Sequence, residues 1–177
     1  MSSLFDSLHA WNYKVCRRMG MTIDEEILYA KFLRKLLKPY SKALEIGGCN
    51  CLFSLNLKGV ITIDVWKEIP LEEVKKYAKS QLVENLFPLP FRDNSFDLIY
   101  SPLFFSNVKR DVRKEMAKEV YRVIKERGTL ILIEIELLRK MRKDFFDLGF
   151  QEKGYYVYQG IFFSIMELDK KSAEPVA

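Results

Sequence analysis

Ala43-Leu44-Glu45-Ile46-Gly47-Gly48, followed by Gly59-Val60-Ile61-Thr62-Ile63-Asp64, is the stretch that decides the fold of this chain. Each half is a short apolar run punctuated by glycine, too brief for a helix. The first reads as a strand running into a glycine turn. The second reads as a strand opened by Gly59 and ended by Asp64. Two such strands, each followed by a helical pattern, predict parallel pairing through right-handed crossovers.

Upstream, Thr22 and Glu25 form a capping box, in which the hydroxyl takes a first-turn N–H while the carboxylate reaches back. The helix they open carries Ile27, Leu28, Phe32, Leu36 and Leu37 along one face and stops at Pro39. Residues 4–19 also show helix-like apolar spacing. Downstream, the pattern predicts a helix over 71–79, a weak strand over Gln81–Asn85 and a strand over Phe96–Tyr100 stopped by Ser101-Pro102. A helix over 107–125 places Val108, Val112, Met116, Val120 and Ile124 on one side. Gly128 then releases the chain into Thr129–Ile135, a run suited to a strand buried on both faces. A helix over 136–148 ends at Gly149, and strands at 155–158 and 162–168, linked through Gly160, form a closing hairpin.

The predicted fold class is therefore α/β: a three-layer, Rossmann-like arrangement with a mainly parallel seven-stranded sheet and a C-terminal antiparallel hairpin strand. The 177 residues, 49% apolar and 30% charged, fit one domain with a sizeable core. Residues 1–40 would supply N-terminal helices, 42–168 the sheet and its helices, and 169–177 a flexible tail. Leu130–Ile133 and the other apolar runs are too short to cross a bilayer, and no secretory pattern opens the chain, so a cytoplasmic location is expected. Cys16, Cys49 and Cys51 read as buried free thiols, because no second Cys/His cluster exists to complete a metal site. The net charge of +5 is spread along helices. Asp111 with Lys114, Glu115 with Lys118, and Glu119 with Arg122 read as i,i+3 pairs on a solvated face. Arg139, Lys140, Arg142 and Lys143 form the most one-sided basic cluster, either a phosphate-facing patch or a plain surface helix.

In a parallel sheet, ligands bind beyond the carboxyl ends of the strands near the switch in strand order. Three segments converge there: Leu44–Gly48, Asp64, nineteen residues after Glu45, and the loop Asn85–Asp97 leading into the fourth strand; a carboxylate at Asp64 can accept both hydroxyls of a ribose. Asp64 as a solvated strand end and Glu45 as a cap on neighbouring backbone are the plainer readings.

Glycine strand, ribose acid, Leu89-Pro90-Phe91-Arg92-Asp93-Asn94-Ser95-Phe96-Asp97-Leu98-Ile99, then Glu119–Lys125 and Gly128-Thr129-Leu130, taken in order, resemble class I S-adenosylmethionine-dependent methyltransferases. The resemblance spans roughly residues 42–168 and is strongest over 89–99. It implies S-adenosylmethionine as cofactor, with Glu45 and Gly47 beside its methionine part and Gly48 and Cys49 also in the cofactor site. Asp64 would hold the ribose, Val65 or Trp66 would lie against the adenine, Asn85 and the N–H of Leu86 would serve the adenine edge, and Ser101 would complete the site. Asn85 stands where the family usually has Asp, and its amide oxygen still accepts. Cys49 and Cys51 stand where the family usually has glycine. The interval from Glu45 to Asp64 is about four residues shorter than usual, close to one helical turn, so the helix expected over 52–57 must be stunted. Ser101-Pro102-Leu103-Phe104 is similar to the Asp/Asn/Ser-Pro-Pro-aromatic signature of enzymes that methylate planar amino groups, with Leu103 replacing its second proline. A strand-ending turn with apolar packing by Phe104 and Phe105 is the alternative. No catalytic residue and no metal ligand is implied. The implied activity is methyl transfer to an unidentified acceptor, a small molecule first, with nucleic acid or protein as alternatives and no membrane partner. A catalytically degenerate binding or partner module of the same fold is the competing reading.

Overall fold

Strand and helix alternate along the chain to build one seven-stranded sheet in the order β3-β2-β1-β4-β5-β7-β6. The computed structural model describes residues 21–48, 52–65, 80–83 and 88–170. The strands are β1 (Ala43–Ile46), β2 (Val60–Val65), β3 (Ser80–Val83), β4 (Phe96–Pro102), β5 (Ile124–Ile135), β6 (Phe150–Tyr158) and β7 (Ile161–Leu168). The first five pair in parallel, and β7 is antiparallel to both of its neighbours. The described helices are α1 (Ile23–Leu36), α2 (Arg110–Val123) and the single turn α3 (Lys143–Phe146). The helices expected over 4–19 and 71–79, and all three cysteines, lie outside the described residues.

Strand alternation splits the core into two layers. Leu44, Ile46, Ile63, Ile99, Leu130 and Leu132 face α2 and α3, where Met116, Val120, Val123 and Phe145 close the layer. Ala43, Leu98, Tyr100, Ile131, Ile133 and Phe163 face α1, which contributes Tyr29, Ala30 and Leu33. This is the three-layer α/β architecture read from the strand and helix pattern.

The capping box of α1 forms as expected, with Glu25 N–H donating to Thr22 Oγ1 at 3.2 Å and Thr22 N–H to Glu25 Oε2 at 2.9 Å. Its buried residues are Ile23, Glu26, Tyr29, Ala30 and Leu33; of the expected stripe, Ile27, Phe32, Leu36 and Leu37 are partly buried against the core and Leu28 alone is exposed. Phe32 of the expected stripe and Tyr29, which takes the place of Leu28, pack their rings against Tyr158 and Phe163 of the closing hairpin. In α2, Met116 and Val120 are buried as expected while Val112 is exposed.

Several boundaries differ from the sequence reading: β6 begins at Phe150, five residues before the strand expected over 155–158, and β3 spans Ser80–Val83 rather than Gln81–Asn85. Ser101-Pro102 does not stop β4, which continues through Pro102 opposite Ile133. Leu98 N–H points to the β1 side and Leu103 N–H to Ile133 O, so alternation aims the position of proline's missing N–H past the end of β1, where no ladder bond is lost. Strand β5 starts at Ile124 directly after α2, and the positive φ falls on Arg127 (59°) rather than on Gly128. Gly128 is required for space, since a Cβ there would lie 2.6 Å from Ile124 Cγ1 and 2.8 Å from Lys125 O. The expected helix over 136–148 is a 3-10 stretch, Glu136–Arg142, before α3. Only Met141 and Phe145 of this stretch are buried, while Leu137 is 89% exposed, so one inward stripe is too short to hold a regular α-helix. The closing hairpin turns through Gln159 (φ 48°) and Gly160 (φ 75°), the two-residue geometry that matches strand twist.

Candidate functional site

Strand β1 is followed directly by Gly47, whose φ of +83° is a conformation that favours glycine. Its N–H donates to Ile63 O at 2.8 Å, and the N–H of the next residue, Gly48, to the same oxygen at 3.3 Å. These bonds carry the β1–β2 ladder one step past Ile46 and set Gly47 opposite Asp64. Glu45, Thr62 and Asp64 alternate with inward residues of the α2 layer, so both carboxylates emerge on the α1 face at the carboxyl ends of adjacent strands. Glu45 is fully buried and accepts from Ser54 Oγ at 3.2 Å, while Asp64 is half-buried. Residues 52–56 form successive turns, with Leu55 N–H on Leu52 O and Leu57 N–H on Ser54 O, which agrees with the stunted helix expected there.

The other side of the site is the segment after β4. Ser101 shares the α2 face with Ile99; it is fully buried and its Oγ has no partner among the described residues. Leu103 adopts φ +56° and is buried. Proline holds φ near −65°, so the backbone here follows a path that the second proline of the Pro-Pro-aromatic signature cannot take. Phe105 is fully buried and T-stacks on Phe145, as the packing alternative requires. Phe104 lies against Gly47, and a Cβ built on that glycine would meet Phe104 Cβ at 2.7 Å.

Glu134, near the end of β5, went unnoticed in the sequence although it is the one acid within the apolar run 130–135. It is 0% exposed and accepts from Ser106 N–H at 3.2 Å, while Oε2 has no partner among the described residues. Burial pushes its pKa up to about 7, against the backbone donors of Phe105, Ser106 and Ile135 and the Arg113 charge, which pull it down.

The segment 89–97, within the strongest part of the family resemblance, is occupied with structure. Leu89 N–H donates to Glu119 Oε1 at 2.8 Å, and Arg122 donates to Leu89 O at 2.9 Å, Phe91 O at 2.7 Å and Asp93 Oδ1 at 3.0 Å. Glu119 and Arg122 also pair directly at 2.7 Å, so this is a clamp rather than the solvated i,i+3 pair expected. The Arg122 guanidinium holds the Glu119 carboxyl below its usual range, more than burial raises it. Burial would raise Asp97, but the N–H groups of Ser41 (2.7 Å) and Lys42 (2.8 Å) and the Ser41 hydroxyl hold it below the ordinary value.

The basic cluster is divided: Arg142 pairs with Glu152 and lies 4.2 Å over the Tyr155 ring, Lys143 pairs with Asp147, and Arg139 and Lys140 remain exposed. Cys49, Asn85 and Leu86 lie outside the described residues, and Val65 is seen as the last residue of β2. No group of three or more His, Cys, Asp or Glu side chains that could hold a metal occurs among the described residues. Nor is any described helix long and apolar enough to cross a membrane.

The mainly parallel sheet sets Gly47 and Asp64 side by side at the carboxyl ends of its strands, the region where ligands bind in open α/β folds. Residues 44–132, half of the chain, match the model of the methyltransferase domain, and the chain belongs to that family. Its fold is similar to the PH0226 protein of Pyrococcus horikoshii, with TM-score 0.71, 16% identity, and 85% of this chain and 93% of that one covered. It is also similar to a SAM-dependent methyltransferase of Methanosarcina mazei, at TM-score 0.59 and 19% identity over 78% of this chain and 97% of that one. A 16S rRNA N2 methyltransferase of T. thermophilus, solved in complex with AdoMet and guanosine, matches at TM-score 0.62 and 17% identity, covering 84% of this chain and 40% of that one. No curated protein matches the chain by sequence.

Proposed function

We propose that this chain transfers a methyl group from S-adenosylmethionine to a small-molecule acceptor. The cofactor is S-adenosylmethionine, which supplies an electrophilic methyl group on a sulfonium. The observation that carries the reading is the convergence of Glu45, Gly47 and Asp64 at adjacent strand ends, two of them carboxylates on one face. The donor set fits the cofactor: Asp64 can accept from ribose hydroxyls, Glu45 offers a buried carboxylate to the cationic methionine end, and Gly47 presents backbone without a side chain. In this reading Gly48, Cys49, Val65, Asn85 and Leu86 complete the cofactor pocket, while Ser101 lies buried on the opposite, α2 face of the sheet. The segment 102–108 bounds the acceptor side, where alignment of a nucleophile with the methyl group supplies most of the rate and no general base is required.

Calorimetric titration with S-adenosylmethionine and S-adenosylhomocysteine tests it. Wild type binds both, and Asp64→Ala weakens binding about ten- to hundredfold, the worth of one or two hydrogen bonds to a charged acceptor. An Asp64→Ala protein that binds as tightly as wild type would remove the ribose role. Phe104 seated on Gly47 is the observation that favours the second reading, a partner module without catalysis.

A further inference from the structure

A cavity of about 170 Å³ opens on the α1 face, between the end of α1 with the turn into β1 on one side and β6 on the other. It lies apart from Gly47 and Asp64. Leu98, in its floor, pairs with Ala43, the first residue of β1, whereas Gly47 follows the last. Four residues of strand, about 13 Å, separate those levels. Leu98, Ile131 and Ile165 point to this face and, with Leu36, make the floor apolar. Tyr40 lines the cavity from the turn before β1 and Tyr156 lines it from β6. Thr129 and Glu167 form the next register pair after Ile131 and Ile165 on the same face, so a hydroxyl and a carboxylate stand side by side where the apolar floor ends. Neither side chain has a hydrogen-bond or ion-pair partner among the described residues. Lys38 and Lys153, both exposed, line the cavity from opposite elements. Asp97 also lines it, but its carboxylate already accepts from Ser41 N–H, the Ser41 hydroxyl and Lys42 N–H.

We propose that this cavity is a second ligand site, for a small zwitterion of the apolar α-amino-acid kind. The apolar side chain lies on Leu98, Ile131 and Ile165, the ammonium donates to Glu167 and Thr129, and the carboxylate meets Lys38 and Lys153. Size sets the first limit. A cavity of about 150 Å³ accommodates a benzene ring, so this one holds a side chain as large as that of phenylalanine while the charged end stays at the mouth. Charge sets the second. A ligand that covers the floor also covers the half-buried Glu167 carboxylate, which then needs a donor in place of water. An acid without an amino group sets a like charge against Glu167, and an amine without a carboxylate meets two ammonium groups. Only a ligand carrying both groups satisfies the free carboxylate and the two lysines together. The site stands whether or not the strand ends at Gly47 and Asp64 hold S-adenosylmethionine.

The test is an amide chemical-shift titration of the full chain with L-phenylalanine, 2-phenylethylamine and 3-phenylpropionate. L-Phenylalanine binds with a dissociation constant on the order of 1 mM, as its size allows. Its shifts centre on Thr129, Ile131, Ile165 and Glu167. The two analogues, each lacking one charged group, bind about tenfold more weakly. Glu167→Gln weakens L-phenylalanine and 2-phenylethylamine about tenfold and leaves 3-phenylpropionate no weaker. The double variant Lys38→Ala, Lys153→Ala weakens L-phenylalanine and 3-phenylpropionate and spares the amine. Circular dichroism establishes that each variant is folded, and the lysine pair carries the test if Glu167→Gln is not. The absence of a saturable shift with L-phenylalanine overturns the proposal. Equal affinity for all three ligands, or affinities that neither variant changes, reduces the cavity to an apolar hollow and overturns it too. Shifts centred instead on Gly47 and Asp64 would place the ligand in the cofactor site and remove the second one.

Discussion

Replacing Glu134 with glutamine should change how stability depends on pH more than it changes stability itself. The carboxyl group is fully enclosed under the segment after β4, with a pKa raised from 4.5 to about 7. Between those two values the folded protein holds this proton more tightly than the unfolded chain does. The unfolded state therefore binds fewer protons, and stability contributed by this group falls as pH rises through the window. At ~1.4 kcal/mol per pH unit, the gap is worth ~3 kcal/mol once pH exceeds about 7. Glutamine keeps an acceptor for Ser106 N–H and cannot ionise. Its amide NH₂ replaces Oε2, an atom without a partner among the described residues, so the variant carries a constant offset. The diagnostic is consequently the slope: wild type minus Glu134→Gln, from urea unfolding followed by circular dichroism between about pH 4 and pH 8. The variant gains up to ~3 kcal/mol relative to wild type from the acid end to the alkaline end. A difference that stays flat across the range would show that Glu134 ionises as easily in the folded protein as in the unfolded chain.

Asp97→Asn loses a charged acceptor that holds three donors at the entry to β1, costing on the order of 2 kcal/mol at neutral pH. Because folding lowers the Asp97 pKa, the difference from wild type shrinks as pH falls below about 4, which acid titration of urea midpoints will read. Arg122→Ala removes the donor to Leu89 O, Phe91 O and Asp93 and strips Glu119 of its counter-charge. A loss of about 2–3 kcal/mol is expected, with faster hydrogen exchange at Leu89, Asn94 and Ser95, and Arg122→Lys restores little because one ammonium cannot span the same acceptors. Gly47→Ala is destabilising by about 1–3 kcal/mol from its positive φ alone, and Phe104→Ala does not rescue it, since the nearest obstruction is Phe104 Cβ. Thermal unfolding of the double variant checks this.

Most of the fold was legible because glycine and periodicity mark where strands end, and β1 and β2 lie where Gly47, Gly59 and Asp64 place them. The face of α1 was legible in part: Ile27, Phe32, Leu36 and Leu37 pack on the core as their spacing implied, but Tyr29 takes the place of Leu28, drawn to Tyr158 and Phe163 more than a hundred residues away. In the candidate site, Glu45, Gly47 and Asp64 could be read from strand ends. Phe104 could not, since only three-dimensional closure brings it onto Gly47. The segment that most resembled a family, 89–97, turned out to hold the loop to α2 and β4 to the approach of β1. Such a pattern is easy to recognise because architecture demands it, and it says little about what is bound.

The position of β7 has a consequence for biosynthesis. It is the last strand of the sheet in sequence yet lies between β5 and β6, pairing with both. Until residue 168 has left the ribosome, β5 presents a bare, strongly apolar flank, and β6 has no neighbour to join. An exposed edge of that kind invites pairing with other chains. The two-residue turn at Gln159-Gly160 shortens this interval, because β6 and β7 can zip together locally and dock onto β5 as a finished ribbon.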